Sequence, residues 1–134
     1  MKLIEKIAQF QKECPEITKN TKAFKGSYAK YEHIQSVIKP YLAKIGLVIT
    51  HRVQDSLLVT DIIDIESDTN ERLTSIIPLL KENAQDRGAE ITYSKRYNVT
   101  ALLDLIIEDP DLDDPVVENQ ATPIKSVKKN TGVL

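Results

Sequence analysis

The chain has 134 residues, 41% of them hydrophobic, and a formal net charge of −2 at neutral pH. This length is sufficient for one domain with a hydrophobic core. The single cysteine, Cys14, excludes an intrachain disulfide framework. No apolar run approaches the roughly 20 residues that span a bilayer, and the early acid Glu5 argues against a secretory signal. We therefore expect a cytoplasmic protein that does not enter a membrane.

The first third of the chain predicts two helices with a loop between them. Residues 2–14 carry apolar side chains at helical spacing, and Pro15 ends that helix. Residues 15–30 form a polar, lysine-rich loop with no periodicity. Residues 31–45 carry a broad apolar stripe, followed by Gly46 in the position of a C-terminal cap. Pro40 lies inside this second helix, where it is expected to cause a kink or a restart.

The middle of the chain predicts three strands. Residues 47–53, 57–65 and 72–80 are rich in β-branched and aliphatic side chains, and polar turn residues separate them. This order suggests an antiparallel meander whose register is left open, because Asp61 and Asp64 interrupt the alternation. Pro78 places the end of the third strand at a sheet edge or a bulge.

The last part of the chain predicts one more helix and a tail. Residues 81–88 form a polar loop. The helix covers residues 89–107, with a core stripe of Ile91, Leu102, Leu105 and Ile106. Residues 108–134 are rich in acids and prolines and predict a disordered tail. The expected fold is α+β, in the order αα-βββ-α, with a domain at residues 1–107 and an acidic and polar tail at 108–134.

Charge is distributed in blocks along the sequence. Residues 1–52 contain ten lysines and arginines against four acids, whereas residues 53–86 contain two against eight. Residues 87–99 are basic again, with three cations against one acid. Local fields, rather than the net charge, steer a polyanion toward a protein. The blocks fit nucleic-acid binding, and they fit equally well a protein whose charges only solvate its surface.

The most informative segment is GAEITYSKRY at residues 88–97. Tyr93 and Tyr97 lie four residues apart, on one side of a helix, and bracket the cations Lys95 and Arg96. Aromatic rings that stack on bases, next to cations that reach phosphates, suit single-stranded nucleic acid. The alternative is that the rings pack at a helix edge and the cations are only solvated. The same two interpretations apply to the loop of Lys19, Lys22, Lys25 and Tyr28, and to Arg52 in the first strand.

The sequence offers no catalytic or cofactor chemistry. It contains two histidines and one cysteine, without the spacing of a zinc site, a phosphate-binding P-loop or a dinucleotide-binding glycine motif. The acids of residues 109–114 lack the central glycine and the closing glutamate of a calcium loop, since position 120 is Gln120. We expect no enzyme activity, no metal site and no cofactor.

Several segments resemble, in the right order, the ERF (essential recombination function) family. They are KAFKGSYA at residues 22–29, KPYLAKIGL at residues 39–47 and QDRGAEITYSKRY at residues 85–97, followed by ALL at 101–103 and the acidic stretch from residue 108. The family usually has Gly-Ser-Ala-Ile-Thr-Tyr-Ala-Arg-Arg-Tyr in the third segment. This chain departs from that pattern at Ala89 and Glu90, and Lys95 replaces the first arginine. The resemblance covers about residues 1–115.

The resemblance implies an ATP-independent, phage-type protein that binds single-stranded DNA and anneals complementary strands during recombination in the bacterial cytoplasm. It also implies a homo-oligomeric ring or filament, and the tail could contact host or phage recombination proteins. The alternative is a non-enzymatic regulatory protein that binds a host protein through its acidic surface. Residues expected to contact DNA are Lys19, Lys22, Lys25, Tyr28, Arg52, Arg87, Thr92, Tyr93, Lys95, Arg96 and Tyr97.

Overall fold

The computed structural model describes residues 1–18, 21–23, 26–28 and 30–107, with only the backbone of 21–23 and 26–28. Its elements are α1 (Leu3–Glu13), β1 (Thr21–Ala23), β2 (Gly26–Tyr28), α2 (Tyr31–Lys44), β3 (Leu47–Gln54), β4 (Leu57–Asp64), β5 (Arg72–Pro78) and α3 (Ala84–Leu103). The predicted tail, residues 108–134, lies outside the described residues. The proposed domain limit at residue 107 therefore stays a prediction.

The α+β class and the antiparallel meander are confirmed. The sheet has the order β3-β4-β5, and both strand pairs are antiparallel. Gln54 pairs with Leu57, so β3 and β4 are joined by a two-residue turn. Asp55 and Ser56 in this turn both have positive φ, 51° and 60°, as a type I′ hairpin requires. Pro78 ends β5, an edge strand, where its missing N–H is tolerated.

Helices cover one face of this sheet. On the central strand, Leu58 and Ile62 point toward the helices and are at most 1% exposed. On the opposite face, Val48 and Ile76 are 38% and 53% exposed. The two faces differ because successive side chains of a strand alternate sides. The core between the helices and the sheet is built from Leu3, Ile7, Phe10, Ile17, Tyr31, Ile34, Ile38, Leu42, Ile45, Leu47, Ile62, Val99 and Leu103.

The predicted cap after α2 is confirmed. Gly46 has φ +74°, the left-handed region that favours glycine. A Cβ added at this position would lie 2.6 Å from Cδ of Glu66, so the Glu66 side chain would have to move to accept it. The helix itself runs unbroken through Pro40. Pro40 and Ser36, whose carbonyl loses its usual donor, are both exposed, so water can satisfy that carbonyl.

Two predictions of local structure are wrong. The segment predicted as a loop, residues 15–30, contains a short antiparallel hairpin, in which Lys22 pairs with Ser27. Strands of three residues are too short to show an alternating pattern. The third helix begins at Ala84 instead of residue 89, because Asn83 caps it by accepting a hydrogen bond from the Asp86 N–H at 2.8 Å.

The buried side of α3 also differs from the predicted stripe. Its fully buried residues are Ser94, Asn98, Val99 and Leu103. Leu102 and Leu105 are partly buried, whereas Ile106 is 63% exposed. The helix ends at Leu103, since Asp104 adopts a left-handed conformation at the C-cap, and residues beyond it no longer follow helical spacing. Two of the four fully buried residues of α3 are thus polar. A search for apolar residues at helical spacing could not identify them.

A buried ion pair joins α1 to the sheet. Lys6 is only 4% exposed, and its Nζ lies 2.8 Å from Oδ1 of Asp64 and 2.6 Å from Oε1 of Glu66. Hydrogen bonding to Asp64 raises the pKa of Lys6, and the same bond lowers the pKa of Asp64. Asp64, which interrupts the strand pattern in the sequence, is therefore satisfied by a residue 58 positions away.

Within the described residues, no helix has the combination of length and apolar character that a membrane crossing needs. The same residues contain no group of three or more histidine, cysteine, aspartate or glutamate side chains arranged to hold a metal ion.

Candidate nucleic-acid interface

The two tyrosines of α3 form an exposed pair on the helix surface. Tyr93 and Tyr97 are 57% and 47% exposed. Their ring centroids lie 4.7 Å apart with the planes at 80°, and their hydroxyl oxygens are 2.8 Å apart. Hydrogen bonding to Tyr97 raises the pKa of Tyr93. The rings contact each other instead of a core, so each leaves aromatic surface open to solvent.

Arg96 lies next to this pair. Its guanidinium carbon is 5.4 Å from the centroid of the Tyr97 ring, within the range of a cation–π contact. The side chain of Arg96 is half-buried. Arg96 and the two tyrosines form one surface, which we call the tyrosine–arginine face of α3.

Lys95 does not belong to that face. Successive residues of an α-helix advance by about 100°, so Lys95 lies roughly 160–200° from both tyrosines. It shares the buried side of α3 with Asn98 and Val99, three and four positions later. The side chain is half-buried, and its charge acts on His51 of β3.

His51 belongs to a chain of hydrogen bonds that crosses the core. Its Nε2 lies 2.8 Å from the hydroxyl of Tyr31, and its Nδ1 lies 2.8 Å from Oγ1 of Thr60. Asn98 Nδ2 donates to the same Thr60 oxygen at 2.9 Å, and Ser75 donates to Oδ1 of Asn98 at 2.8 Å. The chain joins α2, β3, β4, α3 and β5. It fixes α3 on the sheet through polar contacts, because a buried polar group without a partner is costly.

Burial and the nearby charge of Lys95 keep His51 neutral. Burial is the larger cause, and together they lower the pKa of His51 from 6.5 to about 4. The ring also packs edge-on against Tyr31, with centroids 5.6 Å apart. At neutral pH the imidazole therefore carries no charge in the folded protein.

Arg87 and Glu90 hold the start of α3 in place. Arg87 donates to the carbonyl oxygen of Lys81 at 2.9 Å and to Oγ of Ser56 at 3.4 Å. The Glu90 carboxylate accepts the N–H groups of Leu80 and Lys81 at 2.7 and 3.0 Å. These two bonds lower the pKa of Glu90, and the bond from Leu80 contributes most. The acid that departs from the family pattern thus has a structural role in this chain.

Arg52 lies on the sheet face that the helices leave uncovered. Its Nη1 is 2.9 Å from Oδ2 of Asp61, and Nη1 of Arg72 is 3.5 Å from the same oxygen. Asp61 is 1% exposed even though it points away from the helices. Burial alone would raise the pKa of Asp61. The hydrogen bond that Thr74 donates to Asp61 and the charges of the two arginines outweigh burial, so the pKa of Asp61 is lowered. Arg52 therefore already has a carboxylate partner and is separated from the tyrosine–arginine face by the sheet.

The remaining expected contacts are only partly described. Lys19 and Lys25 lie outside the described residues. Lys22 occupies a backbone position in β1, and Tyr28 occupies the last position of β2. Thr92 is exposed, and its hydroxyl bonds back to the carbonyl of Gly88 at 3.4 Å. Their contact with DNA stays a prediction.

Gly88 has no packing reason to be a glycine. It lies in the second turn of α3, and an added Cβ would meet no atom within 4 Å. Glycine inside a helix costs about 0.5–1 kcal/mol relative to alanine. An exposed glycine of this kind permits the close approach of another backbone.

A separate groove of about 460 Å³ lies between α2 and the edge strand β3. Ile38, Leu42 and Ile49 line it with other apolar side chains, and Tyr31, His51 and Lys39 add polar groups. The groove and the core hydrogen-bond chain therefore meet at the pair of Tyr31 and His51.

The architecture of the described residues is that of a small α+β protein: a three-stranded meander covered on one face by helices, with an exposed basic and aromatic surface on α3. The family model of the ERF superfamily matches residues 3–133. The chain therefore belongs to the ERF superfamily. No curated protein and no solved structure shows significant similarity to it.

Sequence reasoning missed the polar residues that position α3. His51 follows Leu47 and Ile49 on the core-facing side of β3, and Asn98 follows Ser94 by four positions on one helix side. That spacing of polar residues on a helix side was the available signal. This signal was missed because only apolar residues were considered as candidates for the core.

Proposed function

We propose that this chain binds single-stranded DNA and anneals complementary strands without hydrolysing a nucleotide, as a recombination protein of phage type. Membership of the ERF superfamily supports this function. The observation that carries it furthest is the tyrosine–arginine face, where two rings about half exposed pack edge-on against each other beside the Arg96 guanidinium. Base–aromatic stacking contributes about 1–3 kcal/mol per base and tolerates any sequence.

In this mechanism, cations neutralise backbone phosphates while bases stack on exposed rings. Arg96 lies next to the rings. Gly88 lies five residues before Tyr93 and about 140° around the helix from it, where another segment of a strand can approach the helix backbone closely. Bases held by stacking on one side keep their pairing edges available to a second strand. Duplex formation supplies the free energy, so annealing needs no nucleotide.

The proposal includes assembly of several copies into a ring or a filament. Among the described residues, β3 and β5 are sheet edges without a further strand partner. Pairing of one copy's β3 with the next copy's β5 would be a head-to-tail contact, which closes into a ring or continues as a filament. Repeated subunits would multiply weak contacts along one strand. Electron microscopy with and without DNA tests this part.

The decisive experiment compares ring removal with hydroxyl removal. Fluorescence anisotropy of a labelled oligo-dT strand should show at least about fivefold weaker binding for Tyr93→Ala/Tyr97→Ala, from the loss of one or two stacked bases. Tyr93→Phe/Tyr97→Phe is the matched control, since it keeps the rings and loses only the hydroxyl–hydroxyl contact. It should bind nearly as the unchanged chain does. Equal binding by all three would place the stacking surface elsewhere.

Charge is tested with a second matched pair. Arg96→Ala should weaken binding and reduce the salt slope by about 0.7, the value for one phosphate contact on a single strand. Lys12→Ala removes an exposed cation of α1 and should leave both quantities unchanged. No affinity of the unchanged chain for single strands at low salt would contradict the proposal. It would favour the alternative of a regulatory protein that binds a partner through its acidic surface.

A further inference from the structure

Arg52 and Arg72 converge on one buried carboxylate, on the sheet face that the helices leave uncovered. Their Nη1 atoms lie 2.9 and 3.5 Å from the same atom, Oδ2 of Asp61. Asp61 is buried, whereas the side chains of Arg52 and Arg72 are 53% and 46% exposed. Two guanidinium groups thus share the charge of one enclosed carboxylate, and an anion from solvent can reach both of them.

The strand register produces this arrangement. Asp61 of the central strand pairs with Thr50 of β3 and Thr74 of β5, and all three side chains point away from the helices. Arg52 lies two residues after Thr50, and Arg72 lies two residues before Thr74, so the arginines approach Asp61 from diagonally opposite corners. Among the residues of the three strands that point to this face, the charged ones are the two arginines and Asp61. The centre of the face therefore carries a net positive charge.

Each guanidinium group is held in orientation and keeps donors for a further ligand. Nε of Arg52 donates to Oε1 of Gln54 at 3.3 Å, and Nε of Arg72 donates to the carbonyl oxygen of Asn70 at 3.4 Å. Nη1 of each arginine donates to Asp61. The bonds within the described residues thus leave Nη2 of both arginines available to an anion. Because the planar groups are already oriented, they lose little conformational freedom when an anion binds.

We propose that Arg52 and Arg72 form a second phosphate site, which holds the backbone of a DNA strand other than the one stacked on the tyrosine–arginine face. The inference rests on the proposed function and extends it, because annealing needs two strands and the tyrosine–arginine face holds one. The sheet separates this site from Tyr93 and Tyr97, so the two strands do not compete for the same residues. A second strand held on the protein has a raised effective concentration for its complement.

The rest of this face favours a phosphate backbone over a protein partner. The exposed large aliphatic residues, Val48 and Ile76, lie at the other two corners and are separated by the row of Thr50, Asp61 and Thr74. They do not form the continuous apolar patch that a protein interface buries at its centre. A second copy that packed by the same face would bring like-charged guanidinium groups together. A phosphodiester needs no apolar anchor, and its oxygens accept charge-assisted hydrogen bonds from guanidinium groups.

The test counts strands bound per chain. Isothermal titration calorimetry of the full chain at low salt uses an oligo-dT strand of about eight nucleotides, short enough to occupy one face. We expect the unchanged chain to bind one strand on each face. Arg52→Gln/Arg72→Gln should keep the affinity of one strand and bind the other at least about fivefold more weakly, with a salt slope lower by about 1.4 for two lost phosphate contacts. Lys12→Gln/Lys39→Gln removes the same charge from exposed positions of α1 and α2 and should bind as the unchanged chain does.

A third variant guards against a loss of folding. Arg52→Gln/Arg72→Gln leaves the buried Asp61 carboxylate without its cations, which is destabilising. Adding Asp61→Asn removes that unpaired charge. The triple variant should bind the first strand as the unchanged chain does and show the same loss of the second.

The outcomes distinguish this inference from the proposed function. Binding of a single strand by the unchanged chain, or equal binding of two strands by the unchanged chain and the triple variant, would overturn the second site and leave the proposed function standing. Displacement of the second strand by poly-glutamate at an equal concentration of charge would also overturn it, in favour of an acidic protein segment. No binding of any strand by the unchanged chain would overturn both.

Discussion

Asn98 Nδ2 donates a 2.9 Å hydrogen bond to Oγ1 of Thr60, and both side chains are at most 1% exposed. This contact joins the buried side of α3 to the central strand of the sheet. It sets the rotation of the helix about its axis, because a turned helix would bury the Asn98 amide away from its partners on Leu58, Thr60 and Ser75. The rotation in turn places Tyr93 and Tyr97 on the outside.

Replacement of Asn98 by alanine tests this positioning. The change removes the acceptor of Ser75 and one of the two partners of Thr60, which keeps its bond to His51, so we expect the free energy of unfolding to fall by about 1–3 kcal/mol. Urea denaturation measures it. Thr92→Ala, at an exposed position of the same helix, should change stability by no more than about 0.5 kcal/mol. Similar values for the two variants would contradict the role of Asn98.

The buried pair of Lys6 and Asp64 predicts a strongly asymmetric mutational response. Lys6→Met leaves the Asp64 carboxylate enclosed without its cation, so stability should fall much further than for Lys12→Met at an exposed site of α1. The double variant Lys6→Met/Asp64→Leu should recover much of the loss, because both charges are then absent. A double-mutant cycle in urea measures the coupling. No recovery would mean that the charge pairing is not the cause.

Stability should depend on pH between about 6.5 and 4. The unfolded chain protonates His51 near 6.5, whereas the folded chain does so at about 4. The unfolded state therefore binds more protons in this window, and stability falls as pH falls through it. Allowing for partial exposure of the ring, we expect a loss of about 1–2 kcal/mol. His51→Gln should lack this part of the pH profile, whereas His33→Gln should retain it.

Below that window, Asp64 and Asp61 add to the acid sensitivity. Their pKa values are lowered in the folded state, chiefly through hydrogen bonds and cations. Their contributions are present above the ordinary carboxyl pKa and are lost as pH falls through the lowered folded values. The pH profile of the urea midpoint should therefore steepen below about pH 4, and Asp61→Asn should reduce that steepening.

Gly88→Ala separates folding from binding. Nothing lies within 4 Å of an added Cβ, so the variant should raise the free energy of unfolding by about 0.5–1 kcal/mol. If a strand approaches the helix backbone here, the same variant should bind oligo-dT more weakly despite its greater stability. Ala89→Ser, at the exposed neighbouring position, is the control and should leave affinity unchanged. Unchanged affinity of Gly88→Ala would remove Gly88 from the interface.

How much of the fold could be predicted from the sequence depends on how far apart along the chain the interacting residues lie. The three strands, the first two helices and the Gly46 cap depend on local periodicity and turn residues, and all were predicted. The start of α3 was misplaced because residues 81–88 were interpreted as a polar loop, although Asn83 offered a cap three residues before Asp86. The tyrosine pair was found because spacing of four is a local signal.

What the sequence did not reveal depends on contacts between distant residues. Asp61 and Asp64 appeared to weaken the strand pattern, yet each is buried against cations from other elements. Lys95 was included with the tyrosines among the expected DNA contacts, although helical spacing alone turns it to the opposite side of α3. The partners of the polar side of α3 could be identified only when Thr60 and His51 had been placed opposite it.

The exposed pair of tyrosines also gives the protein an optical reporter of its own. The chain has no tryptophan and five tyrosines, so its ultraviolet emission comes from tyrosine alone, and two of the five emitters are Tyr93 and Tyr97. A nucleobase lying against either ring would quench that light. Binding of an unlabelled strand can therefore be followed on the native chain, with no dye attached to either molecule.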